Sequence, residues 1–205
     1  RLRIHSGFHV AYECRMPFCY GGGVKTIAQA QAIIRAGAEK VAISSAGIEN
    51  PSLLKELGEV VRINRGKRLT KSQLSDNEKY PVYHGGLEPL GYYGQSNRDA
   101  KTVMVINVGA SAGTVGYSNV DFWSSDGCYC IGHSDFLISR YVYYALLCQE
   151  NLLRSRVRVA GIPTLDAPVI EKISIPIPPL PIQDEIVKTL DLFTELEAEL
   201  EAELE

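Results

Sequence analysis

Five cations fall within one ten-residue stretch: Arg62, Arg65, Lys67, Arg68 and Lys71. It is the densest cationic run in the chain. Phosphates attract such clusters and shed counterions on contact, an affinity indifferent to base sequence. Downstream, Tyr83-His84-Gly85-Gly86 and Tyr92-Tyr93-Gly94-Gln95-Ser96-Asn97-Arg98 mix directional donors and acceptors with glycines. Gln, Asn and Arg can make paired hydrogen bonds to one base edge, and glycine lets backbone approach a groove. Ser111, in Ala110-Ser111-Ala112-Gly113, can set a tight turn against a nucleic-acid backbone. Arg154, Arg156 and Arg158 alternate with Ser155 and Val157, so an extended chain would present three guanidiniums on one side. The plainer readings are a solvated basic loop, tyrosines packing within a β domain, and an ordinary hairpin at Ser111.

Bond-making chemistry is harder to assemble. His84, His133, His5 and His9 have no metal-ligand spacing. Cys128 and Cys130 share one face of a strand with only His133 near in sequence, which suits core thiols better than zinc. Ser124-Ser125-Asp126 lies near His133 but lacks a nucleophile elbow. Methyltransferase and nuclease motifs are missing from the sequence. The expectation is a binding protein without catalytic residues or a metal of its own.

The elements that must carry these residues follow three grammars. At 205 residues, 45% apolar and 22% charged, the chain has globular composition and room for one ordinary domain or two small ones. No apolar run nears the ~18 residues of a membrane span, and no signal-peptide pattern opens the chain. Five cysteines without framework spacing favour reduced thiols and a cytoplasmic location. The first residue is not Met, so the true start is expected upstream. Net charge is −3, yet residues 1–160 carry 19 Lys/Arg against 13 Asp/Glu and residues 161–205 carry 2 against 11. An acidic end therefore masks a mildly basic body.

Residues 1–56 read as βαβα. Strands are expected at 16–20 and 40–44, one helix at 27–36 after Thr26, and another opening at Asn50-Pro51 and running through Leu53, Leu54 and Leu57. Residues 57–160 are richer in Tyr, Val, Gly and Ser. Strands are expected at 80–83, 102–107, 113–117 and 127–131, with one helix between Phe136 and Arg154. The prolines of 173–181 impose an extended connector, assigned to 161–181. From 182 the pattern is helical. Ile182, Ile186, Leu190 and Phe193 form one apolar stripe, and Leu192, Leu196, Leu200 and Leu204 a second. The second lies in a Leu-Glu-Ala-Glu repeat, whose four-residue period drifts about 40° per repeat around a helix. Six glutamates without a cation repel one another there, and a basic partner helix would relieve that. The fold class expected is α+β: a βαβα fragment, a mainly β domain, then a long coiled-coil-type helix.

Two resemblances sharpen this. The run Glu13-Cys-Arg-Met-Pro-Phe-Cys-Tyr-Gly-Gly-Gly-Val-Lys-Thr, continuing through Ala38-Glu-Lys-Val-Ala-Ile-Ser-Ser-Ala to Asn50-Pro51, resembles the cyclase subunit of imidazole glycerol phosphate synthase, a (β/α)8 barrel. The resemblance implies a vestigial phosphate site at Gly22, Gly23, Ser44 and Ser45, but it spans about two of the eight βα units. The family's catalytic aspartates sit on strands outside it.

Residues 57–205 resemble a specificity subunit of a Type I restriction-modification system. The resemblance rests on Leu57-Gly-Glu-Val-Val-Arg-Ile-Asn-Arg-Gly-Lys-Arg-Leu-Thr, Tyr80-Pro-Val-Tyr-His-Gly-Gly, Val108-Gly-Ala-Ser-Ala-Gly-Thr-Val-Gly, Arg158-Val-Ala-Gly-Ile-Pro-Thr-Leu and Ile175-Pro-Ile-Pro-Pro-Leu-Pro-Ile-Gln-Asp-Glu-Ile-Val. It implies a target-recognition domain at 57–160 that reads one half of a split double-stranded DNA site, and a spacer helix at 182–205. That helix would dock modification subunits through Ile182, Ile186, Leu190 and Phe193, and through them the restriction and translocation subunit. S-adenosylmethionine, ATP and Mg would belong to those partners, and none to this chain. A second half-specificity chain would complete a two-part site. The rival expectation is a phosphate-binding (β/α)8 enzyme built on the first 56 residues; a third is an adaptor in which only the tail matters.

Overall fold

Alternation along one strand dictates the centre of residues 55–205. In Thr102–Ile106, Val103 and Val105 point to one face while Met104 and Ile106 point to the other, and all five residues are buried. A strand apolar on both faces must be covered on both sides. The computed structural model describes residues 19–21, 40–42 and 54–204. The chain divides into two units, residues 1–54 and 55–205.

In the first unit, β1 (Cys19–Gly21) and β2 (Lys40–Ala42) pair in parallel, Tyr20 opposite Val41. The helix expected at 27–36 and the phosphate-site residues Gly22, Gly23, Ser44 and Ser45 lie outside the described residues, as do His5 and His9.

The second unit opens inside β3 (Leu54–Glu56), at Lys55, and continues with a single helical turn, α1 (Leu57–Val60). Of the helix expected from Asn50-Pro51 through Leu57, residues 50–53 lie outside the described residues, 54–56 form a strand that pairs with β11 (Ser174–Pro176), and Leu57 starts the helical turn. A four-stranded antiparallel sheet follows, in the order β4 (Ile63–Arg65), β10 (Cys128–Ile131), β7 (Thr102–Ile106), β8 (Val115–Ser118). Beside it stand β6 (Gly91–Tyr93), β5 (Tyr80–Tyr83) and β9 (Trp123–Ser124), with β9 parallel to β5.

Helices cover one face of the larger sheet. Val103, Val105, Val115 and Ile131 pack with residues of α2 (Ser139–Leu147), α3 (Glu150–Ser155), α4 (Ala167–Glu171) and α5 (Leu180–Leu204). The single helix expected between Phe136 and Arg154 is thus two, broken at Cys148 and Gln149. Met104, Ile106, Cys128 and Cys130 line the other face, and Phe122 packs on them. Both thiols are core residues, as their strand spacing suggests.

The segment expected as an extended connector is part of the core. Leu165, Ile170, Ile173 and Ile175 are all buried, and α4 lies within it. Its apolar residues are spaced irregularly among prolines, so their burial depends on non-local partners rather than on a local period. No described helix is long and apolar enough to cross a membrane.

Candidate nucleic-acid interface

Antiparallel pairing puts the end of β4, the start of β10, the end of β7 and the start of β8 at one end of the sheet. The turns leaving those strands collect there. Arg65 closes β4 and is exposed; its Nε donates to the Asp126 carbonyl at 3.1 Å. At the next residue a methyl on Gly66 would lie 2.1 Å from the Ser125 carbonyl oxygen, so only glycine lets this loop cross so close to 124–125. Lys67 then donates its N–H to the Ser124 carbonyl at 2.9 Å, and its own carbonyl accepts from Trp123 Nε1 at 2.7 Å. Backbone is thus pinned at Lys67 while its cationic side chain stays exposed.

The loop after β5 joins the same end. Ser125 N–H donates to the Tyr83 carbonyl at 3.0 Å, and His84 Nδ1 lies 3.3 Å from Asp126 Oδ1. A methyl on Gly127 would meet His84 at 2.7 Å and Val108 at 2.9 Å, so the three turns are in close contact. Gly85 and Gly86 are half-buried in the turn beyond His84. Burial pushes the Tyr83 hydroxyl above its ordinary value, against a hydrogen bond with Ser118, which keeps it a neutral donor.

Other residues expected at the interface take different roles. Asn97 uses both ends of its amide on one backbone unit: Nδ2 donates to the Ser124 carbonyl at 3.0 Å and Oδ1 accepts the Ser124 N–H at 2.7 Å. Arg98 donates to the carbonyls of Asn97 (2.6 Å) and Arg65 (3.2 Å) and is half-buried. Both hold the loop up from beneath and are corrected from base readers to positioning residues. Tyr92 is half-buried opposite Pro81 on β6, and Gln95 is exposed beyond that strand. Ser111 sits half-buried in the β7–β8 hairpin, its carbonyl accepting from Thr114 N–H.

The cationic run is divided. Arg62 precedes β4, and its carbonyl accepts from Gly132 N–H at the far end of the sheet. Arg65 and Lys67 are at the loop end, Arg68 is exposed just beyond, and Lys71 starts a short 3-10 turn (Lys71–Gln73). Nor do Arg154, Arg156 and Arg158 form the expected extended strip. Arg154 is in α3, bonded to Glu150 (2.9 Å) and Thr114 (2.9 Å), Arg156 caps that helix, and Arg158 lies 3.5 Å from Asp166. The helix ends between Arg154 and Arg158, so no single extended run carries the three.

Asp126 is a residue that sequence reasoning undervalued. Read as part of a weak hydrolase triplet, it instead sits among Arg65, His84 and Ser125, and His133 bonds elsewhere, to Thr102 and Ser139. A carboxylate on this rim is an acceptor suited to a base amino group.

The long helix is fixed to the domain by a buried side chain. Gln183 is fully buried; its Nε2 donates to the Phe136 (2.9 Å) and Pro178 (2.8 Å) carbonyls, and its Oε1 accepts Ile138 N–H (2.9 Å). One turn on, Ile186 and Val187 pack into the core. Ile186 therefore faces its own domain, which takes it out of the docking stripe expected at Ile182, Ile186, Leu190 and Phe193; Ile182 and Leu190 are half-buried, and Phe193 is exposed together with Leu180, Leu192, Leu196 and Leu200. Farther along, Asp191 accepts from Arg140 Nε (2.7 Å) and the Tyr144 hydroxyl (2.5 Å), while Arg140 lies over the rings of Tyr117, Tyr143 and Tyr144. Desolvation opposes the Asp191 charge, but those two hydrogen bonds and the guanidinium outweigh it and hold the carboxyl below its ordinary range.

Comparison with known proteins finds two kinds of match. The histidine biosynthesis protein family model matches residues 8–78. The imidazole glycerol phosphate synthase subunit HisF of Pyrococcus furiosus is 42% identical over 84 residues, which is 40% of this chain and 33% of that one. The fold matches the crystal structure of a Type I restriction-modification system S subunit from M. genitalium, with TM-score 0.65 and 22% identity over 73% of this chain and 40% of that one. It also matches the HsdS subunit of Thermoanaerobacter tengcongensis, with TM-score 0.57 and 23% identity over 73% of this chain and 38% of that one. The chain thus spans less than half the length of these relatives. The Type I restriction modification DNA specificity domain family model matches residues 52–205, three-quarters of the sequence and the whole unit just described, and the chain belongs to that family.

Proposed function

We propose that residues 55–205 read one half of a two-part duplex DNA site for a Type I restriction-modification complex in the cytoplasm. The observation that carries this is the gathering of the turns after β4, β5, β7 and β9 at one sheet end, with Arg65 and Lys67 exposed on it, the Arg65 side chain braced on the Asp126 carbonyl and the Lys67 backbone bonded to Ser124 and Trp123. Arg65, Lys67 and Arg68 anchor phosphates. His84 and Asp126 present a donor and an acceptor to base edges, with Gln95 as a further candidate on the neighbouring loop. Asn97 and Arg98 set the height of that rim from below.

The modification subunits dock on the exposed Leu192, Phe193, Leu196 and Leu200 of α5 and link the chain to the restriction and translocation subunit. S-adenosylmethionine, ATP and Mg belong to those partners, and no catalytic step is assigned to this chain. A second half-specificity chain supplies the other half-site. Each added Leu-Glu-Ala-Glu unit lengthens α5 by about 6 Å and so changes half-site separation.

Selection of bound duplexes from a random-sequence pool by the full chain with its modification subunits tests the reading. Enrichment of a short fixed motif is expected. A pool that stays random after repeated rounds contradicts it.

A second reading, a phosphate-binding (β/α)8 enzyme, rests on the parallel pair β1–β2, which is the pairing a βαβ unit makes. Turnover of a ribosyl phosphate substrate by the full chain would favour it.

A further inference from the structure

Beyond the cationic rim lies a feature with different chemistry. Arg158 and Thr164 exchange two backbone hydrogen bonds, at 2.9 and 3.0 Å, and close a five-residue tip, Val159-Ala160-Gly161-Ile162-Pro163. Val159 is 78% exposed and Ile162 is 71% exposed, the highest values of any large apolar residue described. A flexible loop would fold such side chains against the surface; this one is braced. Gly161 takes φ +86°, a conformation few other residues adopt, and the Thr164 hydroxyl donates to the Ile162 carbonyl at 2.9 Å. Pro163 fixes its own φ, and its carbonyl accepts Gly109 N–H at 2.9 Å. Val108 bridges Thr164 on one side and meets the His84 and Gly127 turns on the other, so the tip stands on the same loop cluster as Arg65 and Asp126. Exposed Arg156 and Arg158 precede it, Arg158 lying 3.5 Å from Asp166.

We propose that Val159 and Ile162 form an apolar wedge that inserts between base steps of the duplex held by the cationic rim, and that this inference rests on the DNA-recognition reading above. Duplex DNA suits the tip because two β-branched side chains on a rigid turn that follows two arginines can replace a base-stacking contact that they unstack. A wedge opens a step most readily where stacking is weak, so pyrimidine–purine steps would be favoured. The tip would thereby add sequence preference at a position where no hydrogen bond reads a base.

The test uses the full chain with its modification subunits and a duplex recovered by selection, carrying 2-aminopurine at one position at a time. A rise in fluorescence confined to one step is expected on binding. Ile162→Ala with Val159→Ala should abolish that rise and weaken binding roughly tenfold, with an unchanged melting temperature because neither side chain is in the core. Binding with flat fluorescence at every position, or a rise indifferent to the double substitution, overturns the wedge and leaves recognition standing. Loss of modification-subunit association by the double variant, with the fluorescence rise intact, assigns the tip to protein docking and also overturns it. Failure to bind any duplex overturns both the wedge and the recognition reading.

Discussion

Asn97 and Arg65 are neighbours on the same rim, yet they should answer differently to alanine. Asn97→Ala leaves the buried Ser124 N–H unsatisfied and removes one of the two donors to the Ser124 carbonyl, which keeps the Lys67 N–H. It should cost about 1–3 kcal/mol in a denaturant titration and weaken DNA binding only as a consequence. Arg65→Ala loses one exposed hydrogen bond and should leave stability within about 0.5 kcal/mol while lowering DNA affinity. Equal stability losses for the two would erase the distinction between positioning and contact. Gly66→Ala belongs with Asn97: its methyl cannot fit 2.1 Å from a carbonyl oxygen, and the forced shift should cost about 1–3 kcal/mol. The sequence marks Asn97 and Arg98 by type alone, as good base readers. Whether an amide faces solvent or a neighbouring loop depends on residue 124, 27 positions away, and no local pattern records that.

At the scale of elements, the legible parts are those with a local signal. The strands at 80–83, 102–106, 115–118 and 128–131 each show a short β-branched or aromatic run between turn residues, and α5 shows a helical apolar period. β4 is hidden because Ile63-Asn64-Arg65 is mostly polar and is held in the sheet by β10 alone. The core role of 165–175 is hidden because its apolar residues match neither period. Gln183 stands in a recognisable Pro-rich motif, but its burial is visible only once Phe136 and Ile138 are seen to face it. Gln183→Ala should leave the Ile138 N–H and the Phe136 carbonyl unpaired and cost about 2–4 kcal/mol, read as a lowered unfolding midpoint. The Asp191 link predicts a pH dependence. A carboxyl held below its ordinary value stabilises the fold above that value, and the contribution is lost as pH falls through the lowered one. Attachment of α5 should therefore hold at neutral pH and weaken only below about pH 4. Asp191→Asn should remove that acid-dependent step from a plot of unfolding midpoint against pH. A step of the same size in the variant would place its origin elsewhere.

For the whole molecule, net charge misleads: −3 is the sum of a basic body and an acidic helix, and only the loop end of the sheet bears on DNA. The division of the cationic run between two ends of β4 gives its members unequal weight. The most direct test is the dependence of duplex affinity on salt for the full chain with its modification subunits, comparing the Arg65→Ala/Lys67→Ala double variant with Arg62→Ala. Each phosphate contact contributes about 0.9 to the slope of log affinity against log salt, so the double variant should lose about 2 and Arg62→Ala should lose almost nothing. A double variant with the parental slope and affinity, or a larger loss from Arg62→Ala, would contradict the assignment of this sheet end as the DNA-binding face.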